Sequence, residues 1–242
     1  MDNKLLKMKN FLEFYKKKEV VKNYDKKRLE GIKHGINRQI ERELVFSLVK
    51  GKEILEIGPG TGFITNVLQK KGNVTAVEPS KEMIKQAKKR ASKVKYLNTD
   101  LFSFSTKKKF DSIVAIRVLG HFSLKEMETA LKHLSKFLKT KGALIFNLEN
   151  KSKIRYFIRK IKKKRGVKTY QYSKEEIIKI LRRNGLEVEK IFPIDHFFIL
   201  FPLYILNLLF LGKLRNIIIN IEKKLQFFPV INAEWIIKCK KK

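Results

Sequence analysis

Seven consecutive residues carry the densest chemistry in the chain: Glu56, Ile57, Gly58, Pro59, Gly60, Thr61 and Gly62. Glycines at alternate positions let a backbone turn tightly and lie flat against a ligand. The residues that follow open a helix, whose first turn presents unpaired N–H groups. A dinucleotide loop spaces its glycines G-x-G-x-x-G and brings them to a pyrophosphate. Here the third glycine, Gly62, arrives one residue early, and Glu56 stands before the first. A carboxylate at that point repels pyrophosphate and suits an adenosine cofactor carrying an ammonium group. Glu78 ends the next apolar run, 20 residues past Gly58, where a carboxylate can accept both ribose hydroxyls. Asp100 follows the third run, with Leu101 beside it. An acid there can accept from an exocyclic adenine amine while the leucine forms an apolar wall. The plainer alternatives are a solvated Glu78 and an Asp100 that caps a helix.

Positioning these groups requires strands alternating with helices. Glu53–Ile57 reads as a short apolar strand, and the glycine turn leads into a helix ending near Lys70. A second strand at Asn73–Val77 precedes a helix over 80–90, with Ser80 as N-cap and Met83, Ile84 and Ala87 on one face. Further strands are expected at Val94–Leu97, Phe110–Ile116 and Gly142–Leu148, with a helix over 124–138. A helix over 173–184, ended by Gly185, feeds a strand at Leu186–Phe192. Near-continuous apolar strands joined by helices predict a doubly wound α/β fold with a mostly parallel sheet. In 230–239 apolar and polar residues alternate, which predicts an antiparallel strand with unlike faces near the sheet edge. The expected organisation is one domain over 1–242. Helices occupy 1–50, the glycine loop and its strands 51–150, a basic lid segment 151–172, and a C-terminal part 173–242. An apolar helical insertion interrupts that last part at 196–228.

The 242 residues hold 56 Lys plus Arg against 23 Asp plus Glu, a net charge of +33. Only 11 of the 56 are arginine, whereas a surface built to grip phosphate leans on the planar guanidinium. Dispersed lysine fits an A+T-rich genome or a high-temperature proteome as well as it fits a polyanionic or membrane partner. The single cysteine, Cys239, excludes a disulfide framework and a cysteine-based zinc site. His34, His133 and His196 show no ligand spacing, so no metal is expected. No signal peptide is evident. The most apolar stretch, Phe197–Leu211, has 15 residues and contains Pro202 and Asn207. That falls short of the roughly 20 a spanning helix needs, leaving a buried element or a membrane-facing surface. A cytoplasmic location follows as the expectation, with peripheral membrane contact open.

The glycine loop, Val77–Ser80, Asn98–Leu101 and Phe110–Ala115 together resemble the class I S-adenosylmethionine-dependent methyltransferases. The resemblance runs from about Glu53 to Lys190 and resumes at the final strand. It implies a seven-stranded sheet with an antiparallel last strand, and S-adenosyl-L-methionine as cofactor. By that pattern Glu56 and Gly58, Pro59, Gly60 and Gly62 lie by the methionine part, and Glu78 holds the ribose. Pro79 and Leu101 sandwich the adenine, Asp100 bonds its amine, and the backbone at Ile116–Arg117 faces the methionine amino group.

After the fourth strand stands Val118-Leu119-Gly120-His121-Phe122, similar to small-molecule members of that superfamily. It lacks the prolines of base-targeting amino-methyltransferases, and no cysteine lies near for cytosine-C5 chemistry. A small or lipid-like acceptor is therefore expected. His121 is the candidate general base or acceptor hydrogen-bond partner, against the plainer reading of a packed or capping histidine. Tyr24 and Arg28 are further candidates to reach the pocket. The stretch 151–168 holds ten basic residues and no acid, with Ile154, Phe157, Ile158 and Ile161 at helical spacing. Such a helix can lie on an anionic membrane, grip RNA, or simply cover the domain. An RNA acceptor and a non-catalytic cofactor- or partner-binding module are the rival functions.

Overall fold

The computed structural model describes residues 15, 18–29, 32–151, 169–195, 197–210, 213–225 and 234–242. The basic stretch 152–168 and its expected helix, the side chain of Arg28, and residues 230–233 lie outside the described set.

Five strands, β1 (Glu53–Ile57), β2 (Asn73–Val77), β3 (Lys95–Leu97), β4 (Phe110–Ala115) and β5 (Leu138–Asn150), pair in parallel in the order β3-β2-β1-β4-β5. A two-residue strand β6 (Gln171–Tyr172) adds in parallel to the end of β5. Beyond β5 the sheet continues to β8 (Glu234–Lys241) and then β7 (Leu186–Ile194), both contacts antiparallel. The last strand thus runs against the other six of the main path.

The apolar runs are continuous because both sheet faces are covered. Leu55, Ile113, Leu144 and Ile237 enter one core, while their neighbours Ile54, Val114, Ile145 and Ile236 enter the other. Helices α1 (Lys18–Leu29) and α2 (Ile32–Leu48) precede the sheet. The short α3 (Thr65–Leu68) follows the glycine loop, and α4 (Lys81–Arg90) follows β2. Met127 and Leu131 of α5 (Leu124–Ser135) and Ile177 and Leu181 of α6 (Lys174–Arg183) fill the first core. Ile36 and Ile40 of α2 fill the second, with Leu200 of α7 (Phe197–Leu209) and Ile218 of α8 (Arg215–Leu225). Ser80 caps α4 by accepting from the Met83 N–H at 3.3 Å. Capping boxes start α5 (Ser123 and Glu126) and α6 (Ser173 and Glu176).

Three expectations change. The helix after the glycine loop is regular only over Thr65–Leu68, because bonds from Lys70 to Val67 and Lys71 to Leu68 tighten its end into single turns. Strand β5 begins at Leu138, which pairs with Phe110 instead of ending α5. Most consequentially, β8 is interior, and Glu234–Cys239 is buried on both faces. The polar residues of its alternation are matched in place: Lys238 Nζ meets Glu189 at 2.9 Å, and Glu234 faces Arg117.

Candidate active site

The strand order reverses between β1 and β4, which opens a crevice beyond their carboxyl ends. The glycine loop lines it first. Gly58 donates to Val77 O at 2.9 Å with φ +66°, and a Cβ there would stand 2.6 Å from Val118 Cγ2. Gly62, at φ +83°, lets α4 approach so closely that a Cβ would meet Ala87 Cα at 2.8 Å. Both positions therefore require glycine.

Glu78 joins the first loop to the second. Its carboxylate accepts from the Gly60 N–H at 3.2 Å and the Ser80 N–H at 3.0 Å. Burial pushes its pKa up to about 7, although both N–H bonds act the other way. Glu56 is buried below the loop, where desolvation, reinforced by the neighbouring Glu78 charge, pushes it up to about 8. Its Oε2 has no hydrogen-bond partner. Asp100 accepts from the Phe102 N–H, the Ser103 N–H and the Ser103 hydroxyl at 2.8, 3.1 and 2.7 Å. Partial burial alone would raise it, but these donors hold it below the usual carboxylate range. It both caps that turn and faces the crevice.

These loops bound a cleft that is open to solvent. Gly58, Gly60, Glu78 and Pro79 line it, together with Asp100, Leu101 and Arg117. Glu56, Pro59, Gly62 and His121 are not part of the wall. His121 ends a single 3₁₀ turn, its ring edge-on to that of Tyr15 at 6.3 Å between centroids. Tyr15 does face the cleft, together with Tyr24, Phe102, Val118 and Phe122. Tyr24 was singled out in the sequence. Val118 and Phe122 belong to the segment after the fourth strand noted above, whereas Tyr15 and Phe102 carry no motif.

A clamp holds α1 over the loop. Thr61 Oγ1 donates to Asp25 Oδ1 at 2.6 Å, while Arg90 reaches both Asp25 at 2.8 Å and the Thr61 carbonyl at 3.0 Å. Tyr24, next to Asp25, is thereby placed against the cleft. Asp25→Asn should weaken binding of an adenosine cofactor by about threefold, the size expected of a partly exposed ion pair. Titration calorimetry at low and high salt checks this, since the difference between wild type and variant should shrink as salt rises.

A second assembly was not legible in the sequence. Arg117 takes φ +61°, and its N–H donates to Asn147 Oδ1 at 2.5 Å. Its guanidinium meets Glu41 at 2.7 Å and Glu234 at 3.5 Å. Arg38 meets the same Glu41 at 2.5 Å. Burial alone would raise Glu41, but Arg117 and Arg38 hold it below the usual carboxylate range. Four charges from α2, the β4 loop and β8 thus cancel behind the cleft wall.

The return of the chain after the basic stretch is also anchored here. Tyr170 N–H donates to Gly120 O at 2.8 Å, and the Tyr172 hydroxyl donates to the Phe122 carbonyl. Among the described residues no group of His, Cys, Asp and Glu could hold a metal ion.

A glycine cradle that a Cβ would fill and a buried carboxylate with an orphaned oxygen fit an adenosine cofactor bearing a cationic tail. The sheet order, the loop and this donor set define an α/β cofactor-binding protein. Residues 54–142 match a family model described as a methyltransferase domain. An uncharacterized methyltransferase of Alkaliphilus oremlandii is 32% identical over 126 residues, 50% of this chain and 58% of its own length. A protein of Methanocaldococcus jannaschii is 30% identical over 76% of this chain and 82% of its own. The fold is shared with the structure of DhpI in complex with SAH, at TM-score 0.66 and 16% identity over 100% of this chain and 98% of that one. Residues 54–142 thus carry a methyltransferase domain, and the strand order around the glycine loop is that of the class I S-adenosylmethionine-dependent fold.

Proposed function

We propose that this methyltransferase acts on a small or lipid-like acceptor by direct in-line displacement. The observation that carries this reading is the aromatic and apolar lining that shares the cleft with the glycine loop, Tyr15, Tyr24, Val118 and Phe122. Among the described lining residues the one cation, Arg117, is engaged by Glu41 and Glu234, so the described lining offers no unpaired positive charge to a phosphate or a carboxylate. S-adenosylmethionine, when bound, supplies a methyl group already activated on a sulfonium. The work left to the chain is to align the acceptor and exclude water.

Gly58 and Gly60 offer backbone at close approach, and Glu56 lies below the loop as counter-charge to the ammonium group. Pro59 and Gly62 shape that loop. Glu78 takes the ribose hydroxyls, Pro79 and Leu101 the two faces of the adenine, and Asp100 its amine. The Ile116–Arg117 backbone, held by Asn147, faces the amino group. His121, behind Tyr15, serves as general base or hydrogen-bond partner to the acceptor. His121→Ala should lower kcat about tenfold to a hundredfold and leave cofactor affinity unchanged. An equal loss in His121→Gln assigns proton transfer.

The raised carboxyls give a pH signature. With Glu78 near 7 and Glu56 near 8, the empty site is partly protonated at neutral pH. A ligand offering hydroxyl donors and a positive charge favours the ionised forms. Binding should therefore release protons near pH 7, and affinity should rise with pH up to about 8. Calorimetry in two buffers of different ionisation enthalpy measures the release; proton uptake would contradict the placement of both acids.

The acceptor class is tested by transfer of labelled methyl from S-adenosylmethionine into cell extract divided into lipid, small-molecule, RNA and protein fractions. Label in the first two supports the reading, and label confined to RNA or protein overturns it.

A further inference from the structure

Helix α7 is apolar on every side, and its described side chains divide between a buried and an exposed face. Leu200, Tyr204 and Asn207, at i, i+4 and i+7, pack inward. Pro202, Ile205, Leu206, Leu209 and Phe210 fall opposite and are exposed, Leu209 at 71% and Phe210 at 55%. The usual polarity of a surface helix is reversed. The groups able to hydrogen-bond, the Asn207 amide and the Tyr204 phenol, face the protein, while the described outward positions carry hydrocarbon. Single exposed apolar residues are ordinary, but five on one helix face mark a surface that is covered in use.

The charge around this face says by what. Within 197–225 the sole acid is Glu222, which is fully buried. The exposed positions after Phe210 bring Lys213, Arg215, Lys223 and Lys224, with Ile217 among them at 51% exposure. Lys223 is engaged by Glu43 at 2.6 Å and Arg215 by Gln39 at 3.4 Å, both on α2. These bonds fix the hairpin to the same helix whose Glu41 holds Arg117 at the cleft. Hydrocarbon followed along the chain by bases, of which only Lys223 among the described residues meets an acid, matches the boundary between acyl chains and anionic headgroups. Thirteen residues span only about 20 Å, too short to cross a bilayer. Among the described residues no helix is long and apolar enough to do so.

We propose that the α7–α8 hairpin docks this protein on an anionic lipid bilayer. The outer face of α7 sinks into the interface, and Lys213, Arg215 and Lys224 lie among the headgroups. This docking is separate from the choice of acceptor, because it rests on the hairpin alone.

Flotation of the full chain with vesicles tests it. Vesicles of phosphatidylcholine with about one third phosphatidylserine should bind it at about 0.15 M salt, and phosphatidylcholine alone should bind about tenfold less. The triple variant Leu206→Ser, Leu209→Ser, Phe210→Ser keeps every charge. It should lose about tenfold in binding to the anionic vesicles while keeping wild-type affinity for S-adenosylmethionine, which certifies its fold. Unchanged vesicle binding by that variant overturns the proposal, since the net charge would then suffice. So does failure of the wild type to bind anionic vesicles. A dimer that dissociates in the triple variant, with vesicles unbound by either, assigns the face to a second copy of the chain instead.

Discussion

Glu41→Ala is expected to destabilise the fold by about 2–4 kcal/mol, because it removes the fully buried carboxylate shared by the largely buried Arg38 and the partly exposed Arg117. Glu41 is fully buried and receives Arg38 at 2.5 Å and Arg117 at 2.7 Å. Without it Arg117 keeps only Glu234 at 3.5 Å, and Arg38 is left against the Phe63 ring at 5.2 Å. Urea unfolding should show a lower midpoint with an unchanged slope. Pairing Glu41→Leu with Arg117→Met should recover much of the loss, as replacement of whole buried ion clusters by apolar groups often does. The variant should also weaken cofactor binding, because Arg117 forms part of the cleft wall. Acid supplies an independent check. A carboxyl held below its ordinary value of 4.5 stabilises the fold above that pH and loses the contribution as pH falls through its lower, folded value. Wild type should therefore lose stability more steeply below about pH 4.5 than Glu41→Gln does.

Glu78→Gln should move binding and stability in opposite directions. Cofactor affinity should fall about tenfold to a hundredfold, since a carboxylate that accepts charge-assisted bonds from two hydroxyls is replaced by a neutral amide. The empty protein, however, should become more stable at alkaline pH. Its carboxyl is raised from 4.5 to about 7, so below pH 4.5 it costs nothing, and the cost grows as pH rises to about 7. Above that it is on the order of 3 kcal/mol. The glutamine carbonyl can serve only one of the Gly60 and Ser80 N–H donors, which reduces the gain to about 1–2 kcal/mol. Thermal unfolding of the empty protein near pH 8.5 and calorimetry with S-adenosylmethionine read the two effects separately. A variant that loses binding and stability together would show Glu78 to be a structural cap for the loop rather than a ligand-facing carboxylate.

The difference between these two residues follows how far apart their partners stand in the chain. Glu78 closes an apolar run 20 residues beyond a glycine turn, and that interval is set by one strand–helix–strand unit. Its placement beside Gly60 was therefore legible from spacing. Ser80, Met83 and Ala87 were legible for the same reason, as a cap and one helix face. Glu41 meets Arg117 across 76 residues and Arg117 meets Glu234 across 117. Nothing local distinguishes any of the three from a solvated surface charge in so lysine-rich a chain.

The alternation in the last strand misled for a related reason. A period of two predicts unlike faces near the sheet edge; β8 does run antiparallel beside the edge strand β7, but both its faces are buried. Its polar members are buried and matched by Arg117 and by Glu189. On α7 the outcome is the converse. The apolar run left a buried element and an exposed apolar surface both open, and among the described residues the fold buries Leu200, Tyr204 and Asn207 and leaves Ile205, Leu206 and Leu209 bare.

By itself, then, the sequence determined the alternating strands and helices, the glycine turn and the three acids at strand ends. These depend on backbone conformation and hydrophobic period, which act over a few residues. The tertiary structure alone decided which charges are buried together, where β8 inserts, that Tyr15 lines the cleft, and which face of α7 stays bare. Those depend on desolvation and on partners, and a residue acquires both only when distant segments meet.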